Sequence, residues 1–277
     1  MRKPIVVAEV GINHNGDIGI AKANVGMAAG LGADYVKFQK RTIDVVYTNE
    51  YLAGSRDSPW GQTQRAQKEW LEFGKAEYDE IVTLCKKLGI GWMCTPFDDA
   101  SLDFVLQYDT DYIKIASFDL TNMALLDAIR ASGRQVVLST GMSTKVQIDA
   151  ALATLGDSVA HLLHCVSTYP TPPEQLNLSR ILTLQQDYGK RCQIGYSHHS
   201  VDIVGIVAAA VMGAEMLEFH VTIDRNLYGS DQQASIGPTG FKRVMDHLKT
   251  VQIGWGDGSI EPRPSEYKVM KKLRRFP

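Results

Sequence analysis

The absences in this sequence narrow it first. Its four cysteines, Cys85, Cys94, Cys165 and Cys192, are scattered, with no CxxC pair and no framework spacing. Reduced thiols and a cytoplasmic setting are the expectation. No apolar run approaches the ~18 residues of a membrane span and no leader pattern opens the chain, so no membrane partner is expected. Neither sign of charge dominates: 29 Lys and Arg face 31 Asp and Glu, a formal net charge of −2. The basic surface that phosphate neutralisation demands is missing, and no nucleic-acid partner is expected. With 24 Gly and 10 Pro in 277 residues, collagen-like and low-complexity readings are excluded as well.

What is there is one rhythm, kept from end to end. Short β-branched runs at Ile5–Ile12, Tyr35–Gln39, Gly91–Phe97, Tyr112–Ser117, Gln135–Thr140, Ala160–Ser167, Gln193–His199 and Met216–Thr222 alternate with helical stretches, from Gly19–Gly30 to Gly240–Val251. Near-continuous apolar runs suit parallel strands covered on both faces. Eight strand–helix pairs in one domain over residues 1–277 predict a (β/α)8 TIM barrel. A doubly wound open sheet is the alternative, but no GxGxxG follows the first strand. One long polar insert, Arg41–Gly74, interrupts the rhythm. It carries Arg56, Arg65, Trp60 and Trp70 and leaves the second strand beside Lys37, as a lid would; packing on outer helices or a second subunit is the other possibility.

The chemistry collects at the carboxyl ends of the strands, where barrel enzymes keep their active sites. Reading strand by strand gives Glu9 with Asn13 and His14, Lys37 with Gln39, Thr95, Lys114 with Ser117, and Ser139 with Thr140. Ser167 and Tyr169 follow, then Ser197 with His198 and His199, and finally His220. One polar strand end is ordinary; eight in a row point to a site. Lys37 and Lys114 follow apolar strand residues, so their ammonium groups enter the barrel and need partners there. They are either structural ion pairs or, with Thr95, Ser117, Ser139 and Ser197, a site for a phosphate and a carboxylate. Gly141 would let backbone amides approach such an anion. His199 and His220 end neighbouring strands and could converge on a divalent ion, with Glu9 ligating directly or through water; two ordinary hydrogen-bonded histidines are the plainer alternative. Only one of His198 and His199 can face inward. Cys94, Cys165 and His161 read as structural residues.

The segments AEVGINHNG (Ala8–Gly16), VKFQ (Val36–Gln39), LEFGKAEYDEI (Leu71–Ile81), TPFD, YIKIAS, STGM, HCVSTYPT, GYSHH and EFHVTIDR stand in one order. Together they resemble the sialic acid (N-acetylneuraminate) synthase family over essentially the whole chain. The resemblance implies a (β/α)8 barrel that condenses phosphoenolpyruvate with N-acetylmannosamine or a similar aldose, releasing phosphate, with a divalent metal, Mn²⁺ first and Mg²⁺ or Co²⁺ as alternatives. It implies phosphoenolpyruvate binding by Lys37, Thr95, Lys114, Ser117, Ser139, Ser167 and Ser197. His199 and His220 correspond to the metal ligands, and Glu9 to the acid beside the reacting carbons. Gln39, Asp119, Tyr169 and Asp231 correspond to positions facing the acceptor sugar. Asp119 stands for a usual Glu, His198 for a common Asp, and Phe219 for a basic residue. The expectation is the short form, ending at Pro277 without the C-terminal antifreeze-like domain of many relatives, and a homodimer or higher homo-oligomer. A synthase of another 3-deoxy sugar acid such as 3-deoxy-octulosonate phosphate, a metal-dependent barrel aldolase or isomerase, and a catalytically silent sugar- or phosphate-binding barrel are the alternatives.

Overall fold

A computed structural model describes residues 2–276; Met1 and Pro277 lie outside them. The strands are β1 (Ile5–Glu9), β2 (Tyr35–Lys40), β3 (Ser55–Ser58), β4 (Gly61–Thr63), β5 (Gly91–Pro96), β6 (Tyr112–Ile115), β7 (Gln135–Ser139), β8 (Val159–His164), β9 (Gln193–His198) and β10 (Met216–His220). All but β3 and β4 form one closed parallel barrel, in the order β1-β10-β9-β8-β7-β6-β5-β2. The barrel predicted from the strand–helix rhythm is the fold observed. Among the described residues no helix is long and apolar enough to cross a membrane.

Strand alternation sorts each strand into two faces. Val6, Ala8, Val36, Phe38, Cys94, Ile113, Val136, Leu138, Leu162, Ile194, Leu217 and Phe219 belong to the large buried cluster that packs strands against helices. The opposite parity fills the barrel axis. Val7, Met93, Val137, Leu163 and Met216 form a small closed cluster there, with Ile5, Tyr35 and Tyr112 packed on it. This plug seals the amino-terminal half of the barrel axis, so a cavity within the axis must open at the carboxyl ends.

Several strands stop short of the runs read from sequence. β1 ends at Glu9 because Gly11 takes a left-handed φ of 52°. A side chain there would be strained, and its Cβ would sit 3.0 Å from Glu9 Oε1 and 3.2 Å from Gln39 Nε2. β6 gives way to a 3₁₀ turn over Ser117–Asp119, which redirects the chain outward. The insert is ordered structure, built of helices Ile43–Val46 and Asn49–Ala53, the β3–β4 hairpin and helix Gln64–Leu71. Trp60 stacks on Trp70 at 6.3 Å and meets Tyr228 edge-on at 5.4 Å. The Tyr228 hydroxyl donates to Asp57 O at 2.8 Å, and Trp70 Nε1 donates to Asn15 O at 3.0 Å. These contacts strap the insert to the loops that follow β10 and β1.

Candidate active site

Two residues beyond the apolar plug on every barrel strand comes a second ring: Glu9, Lys37, Thr95, Lys114, Ser139, Cys165, Ser197 and Glu218. All eight line one cavity of about 260 Å³ at the carboxyl end of the barrel. The ring is held together by its own charges. Lys37 Nζ lies 2.8 Å from Glu9 Oε2 and 3.8 Å from Glu218 Oε2, and donates to Thr95 Oγ1 at 3.2 Å. Lys114 Nζ lies 3.8 Å from Glu218 Oε1 and donates to Ser139 Oγ at 2.8 Å. Gln39 Nε2 donates to Glu9 Oε1 at 2.7 Å, and Ser197 Oγ donates to Glu218 Oε1 at 2.9 Å.

Burial would neutralise such groups singly; the pairing decides otherwise. Burial raises the Glu218 pKa, but Lys114 and Lys37 outweigh it and hold the value down to about 2. Burial also works against Lys37, yet Glu218 and Glu9 keep its pKa above the ordinary lysine value. For Lys114 burial prevails, Glu218 offsetting it only in part, and its pKa is lowered. Sequence reasoning missed Glu218. The available signal was parity: it stands two residues before His220 and therefore on the same face.

Above this ring stand the histidines. His199 Nδ1 is 2.6 Å from Val166 O, so that nitrogen carries the proton, and Nε2 accepts from the Tyr169 hydroxyl at 3.1 Å; Ser197 Oγ lies 3.3 Å away with its proton directed at Glu218. Burial first and His220 second lower the His199 pKa to about 3, so the ring is neutral. The His220 ring centroid lies 5.7 Å from that of His199. Its Nδ1 is buried without a hydrogen bond, 3.7 Å from Asp231 Oδ2. His198 faces the other way, accepting from the Tyr196 hydroxyl at Nδ1 and donating from Nε2 to Asp202 O. Among the described residues no three His, Cys, Asp or Glu side chains gather as a metal cluster. The possible third ligand, Glu9, is already engaged by Gln39 and Lys37.

Of the residues singled out from sequence, Glu9, Lys37, Gln39, Thr95, Lys114, Ser117, Ser139, Tyr169, Ser197, His199, His220 and Asp231 share the cavity. Ser167 stands one step behind, its Oγ 2.8 Å from that of Ser117. A Cβ on Gly141 would collide with Ser167 Oγ and lie 2.8 Å from Cys165 Sγ, so only glycine lets that loop close on the serines. Asp119 lines a different cavity, with Asp98, Val45 and Val46. Phe97 and Phe118, edge to face at 4.9 Å, are the wall common to both cavities. Asn13 ties the β1 loop to Val221 O and Ser235 Oγ, and His14 stacks on Phe73 at 4.1 Å; neither lines the cavity. From the insert, the lining residues are Arg41 and Lys68. Arg65 instead pairs with Asp44 and Glu69, and Arg56 donates to the Tyr228 hydroxyl at 3.3 Å.

Residues 24–259 match the model of the NeuB family. The chain belongs to the NeuB family. It is 33% identical to the N,N'-diacetyllegionaminic acid synthase of Campylobacter jejuni, a match spanning 99% of this chain and 84% of that one. It is 32% identical to the human N-acetylneuraminate-9-phosphate synthase, across 97% of this chain and 76% of its relative. The crystal structure of an N-acetylneuraminic acid (sialic acid) synthetase from Leptospira borgpetersenii superposes with a TM-score of 0.84 at 32% identity, covering 99% of this chain and 94% of the other. In this NeuB-family chain four of the motif segments form the cavity wall itself: AEVGINHNG, VKFQ, YIKIAS and EFHVTIDR each deliver a charged ring residue.

Proposed function

We propose that this chain is a phosphoenolpyruvate-dependent sugar-acid synthase, joining phosphoenolpyruvate to the open-chain aldehyde of N-acetylmannosamine or a related aldose with release of phosphate. The observation that carries the reading is the buried ring with two lysines, two carboxylates and three hydroxyls beneath the imidazoles of His199 and His220. Lys37 and Lys114 supply charge for the phosphate and carboxylate of phosphoenolpyruvate, and Thr95, Ser117, Ser139 and Ser197 supply directed hydroxyls. Glu218, between the two ammonium groups, and Glu9, beside Lys37, counter the burial that works against their charge. Gln39, Tyr169 and Asp231 stand higher and are offered to the hydroxyls of the sugar.

Carbon 3 of the enol forms a bond to the aldehyde carbon, leaving cationic character at carbon 2 and an alkoxide on the former aldehyde oxygen. Water adds at carbon 2, and the tetrahedral intermediate expels phosphate by C–O cleavage. Glu9, locked by Gln39 and Lys37, is placed to orient that water and take its proton. Holding both substrates over one ring converts a bimolecular encounter into a positioned one.

The histidines fit a divalent ion. A lone pair at His199 Nε2 is fixed by the Val166 hydrogen bond, and His220 Nδ1 is a buried nitrogen without a partner. Two imidazoles with open positions suit Mn²⁺ or Co²⁺ better than Mg²⁺, which prefers oxygen ligands, and such an ion would polarise the aldehyde carbonyl.

The test is phosphate release from phosphoenolpyruvate with a panel of aldoses, with and without Mn²⁺, followed by product mass. Metal-dependent release with one aldose, abolished by chelator and by His199→Ala, is the expected result. No release with any aldose, or full turnover in excess chelator, overturns it.

A further inference from the structure

The loop that carries Asp231 is held from two sides, and one of them is not the barrel. Residues 222–235 contain neither helix nor strand, and their ends meet at the Val221–Ile236 bridge. Within this loop Ser230 and Asp231 line the cavity, and Asp231 Oδ2 lies 3.7 Å from His220 Nδ1. Its carboxyl side is fastened to the β1 loop. Ser235 Oγ donates to Asp231 O at 2.6 Å and accepts from Asn13 Nδ2 at 2.7 Å, and Gln232 Nε2 donates to Asn13 O at 3.3 Å. Its amino side is fastened to the insert, through Tyr228. The Tyr228 hydroxyl donates to Asp57 O at 2.8 Å and accepts from Arg56 Nε at 3.3 Å, and the ring meets Trp60 edge-on at 5.4 Å. Among the described residues, those two are the hydrogen bonds between this loop and the insert. Trp60 in turn stacks on Trp70, whose Nε1 donates to Asn15 O. The clasp therefore closes a circuit from the β10 loop through the insert and back to the β1 loop.

Tyr228 does not itself line the cavity. What it removes is freedom, in a stretch with no ladder or helix of its own to hold it. A loop that samples many conformations is competent to bind only part of the time, and the apparent affinity falls by that fraction. We propose that Tyr228 is a positioning residue for the acceptor sugar: by locking the β10 loop to the insert, it holds Asp231 in place before the sugar arrives. This rests on the reading of Asp231 as a contact of that sugar. The charged ring below is tied by its own ion pairs and does not depend on the clasp. Tyr228 thus acts on one substrate and not on the other.

The experiment uses two variants and a cycle. Tyr228→Phe keeps the ring against Trp60 and deletes both hydrogen bonds; Tyr228→Ala deletes the ring as well. In phosphate-release kinetics the acceptor KM should rise about fivefold in the first and about 30-fold in the second. The kcat and the KM of phosphoenolpyruvate should stay within about twofold, because the complex once formed is the same. Hydrogen exchange should quicken at the backbone amides of residues 224–231 and stay unchanged in the barrel strands. The double variant decides whether Tyr228 acts through Asp231. Asp231→Ala removes the group that the clasp positions, so adding Tyr228→Phe to it should raise the acceptor KM no further. A tyrosine with a merely structural role would add its cost there in full. An unchanged acceptor KM in Tyr228→Ala, equal loss for both substrates, or additive effects in the double variant overturns the inference and leaves the synthase reading intact. Absence of turnover by the wild type with every aldose defeats the synthase reading instead. Hydrogen exchange then decides: faster exchange at residues 224–231 in Tyr228→Ala upholds the clasp, and exchange equal to wild type overturns it.

Discussion

The barrel axis holds two rings of side chains one strand-repeat apart, and they could hardly differ more. The lower contains Val7, Met93, Val137, Leu163 and Met216, closed on themselves and fully buried. The upper, each residue two positions later, contains Glu9, Thr95, Ser139, Cys165 and Glu218, joined by Lys37 and Lys114 two positions beyond Tyr35 and Tyr112. Both are about equally shielded from water: Lys37, Lys114 and Glu218 are no more than 4% exposed. The lower ring is stabilised by removal of apolar surface from water. The upper withdraws four charges from water and recovers the cost only through mutual pairing. A barrel can thus carry a binding site in its own core, provided that the plug beneath it supplies the stability which the charged ring does not.

The largest effect should come from unbalancing the upper ring. Lys114→Met keeps the stem and deletes the charge, leaving Glu218 with half its compensation. Breaking one partner of a buried pair costs about 3–5 kcal/mol. We expect that loss in denaturant unfolding, together with a fall of at least ~1000-fold in kcat/KM, about 4 kcal/mol of transition-state stabilisation. Adding Glu218→Gln to Lys114→Met should restore much of the stability and none of the activity. A stable single variant with normal phosphoenolpyruvate affinity would mean that the ring is not charge-balanced as described.

The converse break is in the plug. Leu163→Ala removes buried methyl groups two residues below Cys165 and should cost about 2–5 kcal/mol of stability. In folded protein, phosphoenolpyruvate affinity should change by less than threefold, because no ring charge has moved. A large affinity loss at modest destabilisation would show that the rings are mechanically coupled, and the comparison would fail.

Much of the upper ring is legible in the amino-acid sequence, since polar residues at the ends of apolar strands stand out. Glu218 is not, because it is enclosed by Leu217 and Phe219 and the whole segment reads as core; only its parity with His220 puts it on the axis. Lys68 is harder still. Its helix is polar on most positions, and which side chain meets the cavity depends on distant contacts, Tyr228 with Asp57 and Trp70 with Asn15. The four residues that stand out in the sequence of the insert, Arg56, Arg65, Trp60 and Trp70, serve mainly to anchor it. Asp119 illustrates the opposite difficulty. A motif position suggests the acceptor sugar, but the 3₁₀ turn after β6 carries the carboxyl past the Phe97–Phe118 wall.

The smallest expected effect lies at that carboxyl, and it sharpens the comparison because Asp119 is buried without the pairing that the upper ring enjoys. Its Oδ2 has no hydrogen-bond partner and the residue is 8% exposed. Burial, with a further push from Asp98, raises its pKa to about 6, although a hydrogen bond from Asn122 opposes this. An unfolded aspartate gives up its proton near pH 3.9. Between those values the folded chain holds the proton more tightly, so stability falls as pH rises through that window and levels off above pH 6. Asp119→Asn removes the titration. It should therefore gain nothing at pH 4 and most at pH 7, by no more than about 3 kcal/mol, with thermal or denaturant unfolding at both pH values as the measurement. A variant equally destabilised at both would show that the carboxylate is satisfied after all. An acceptor KM that rises in the same variant would bring Asp119 within reach of the sugar, and the Phe97–Phe118 wall would have to open during turnover.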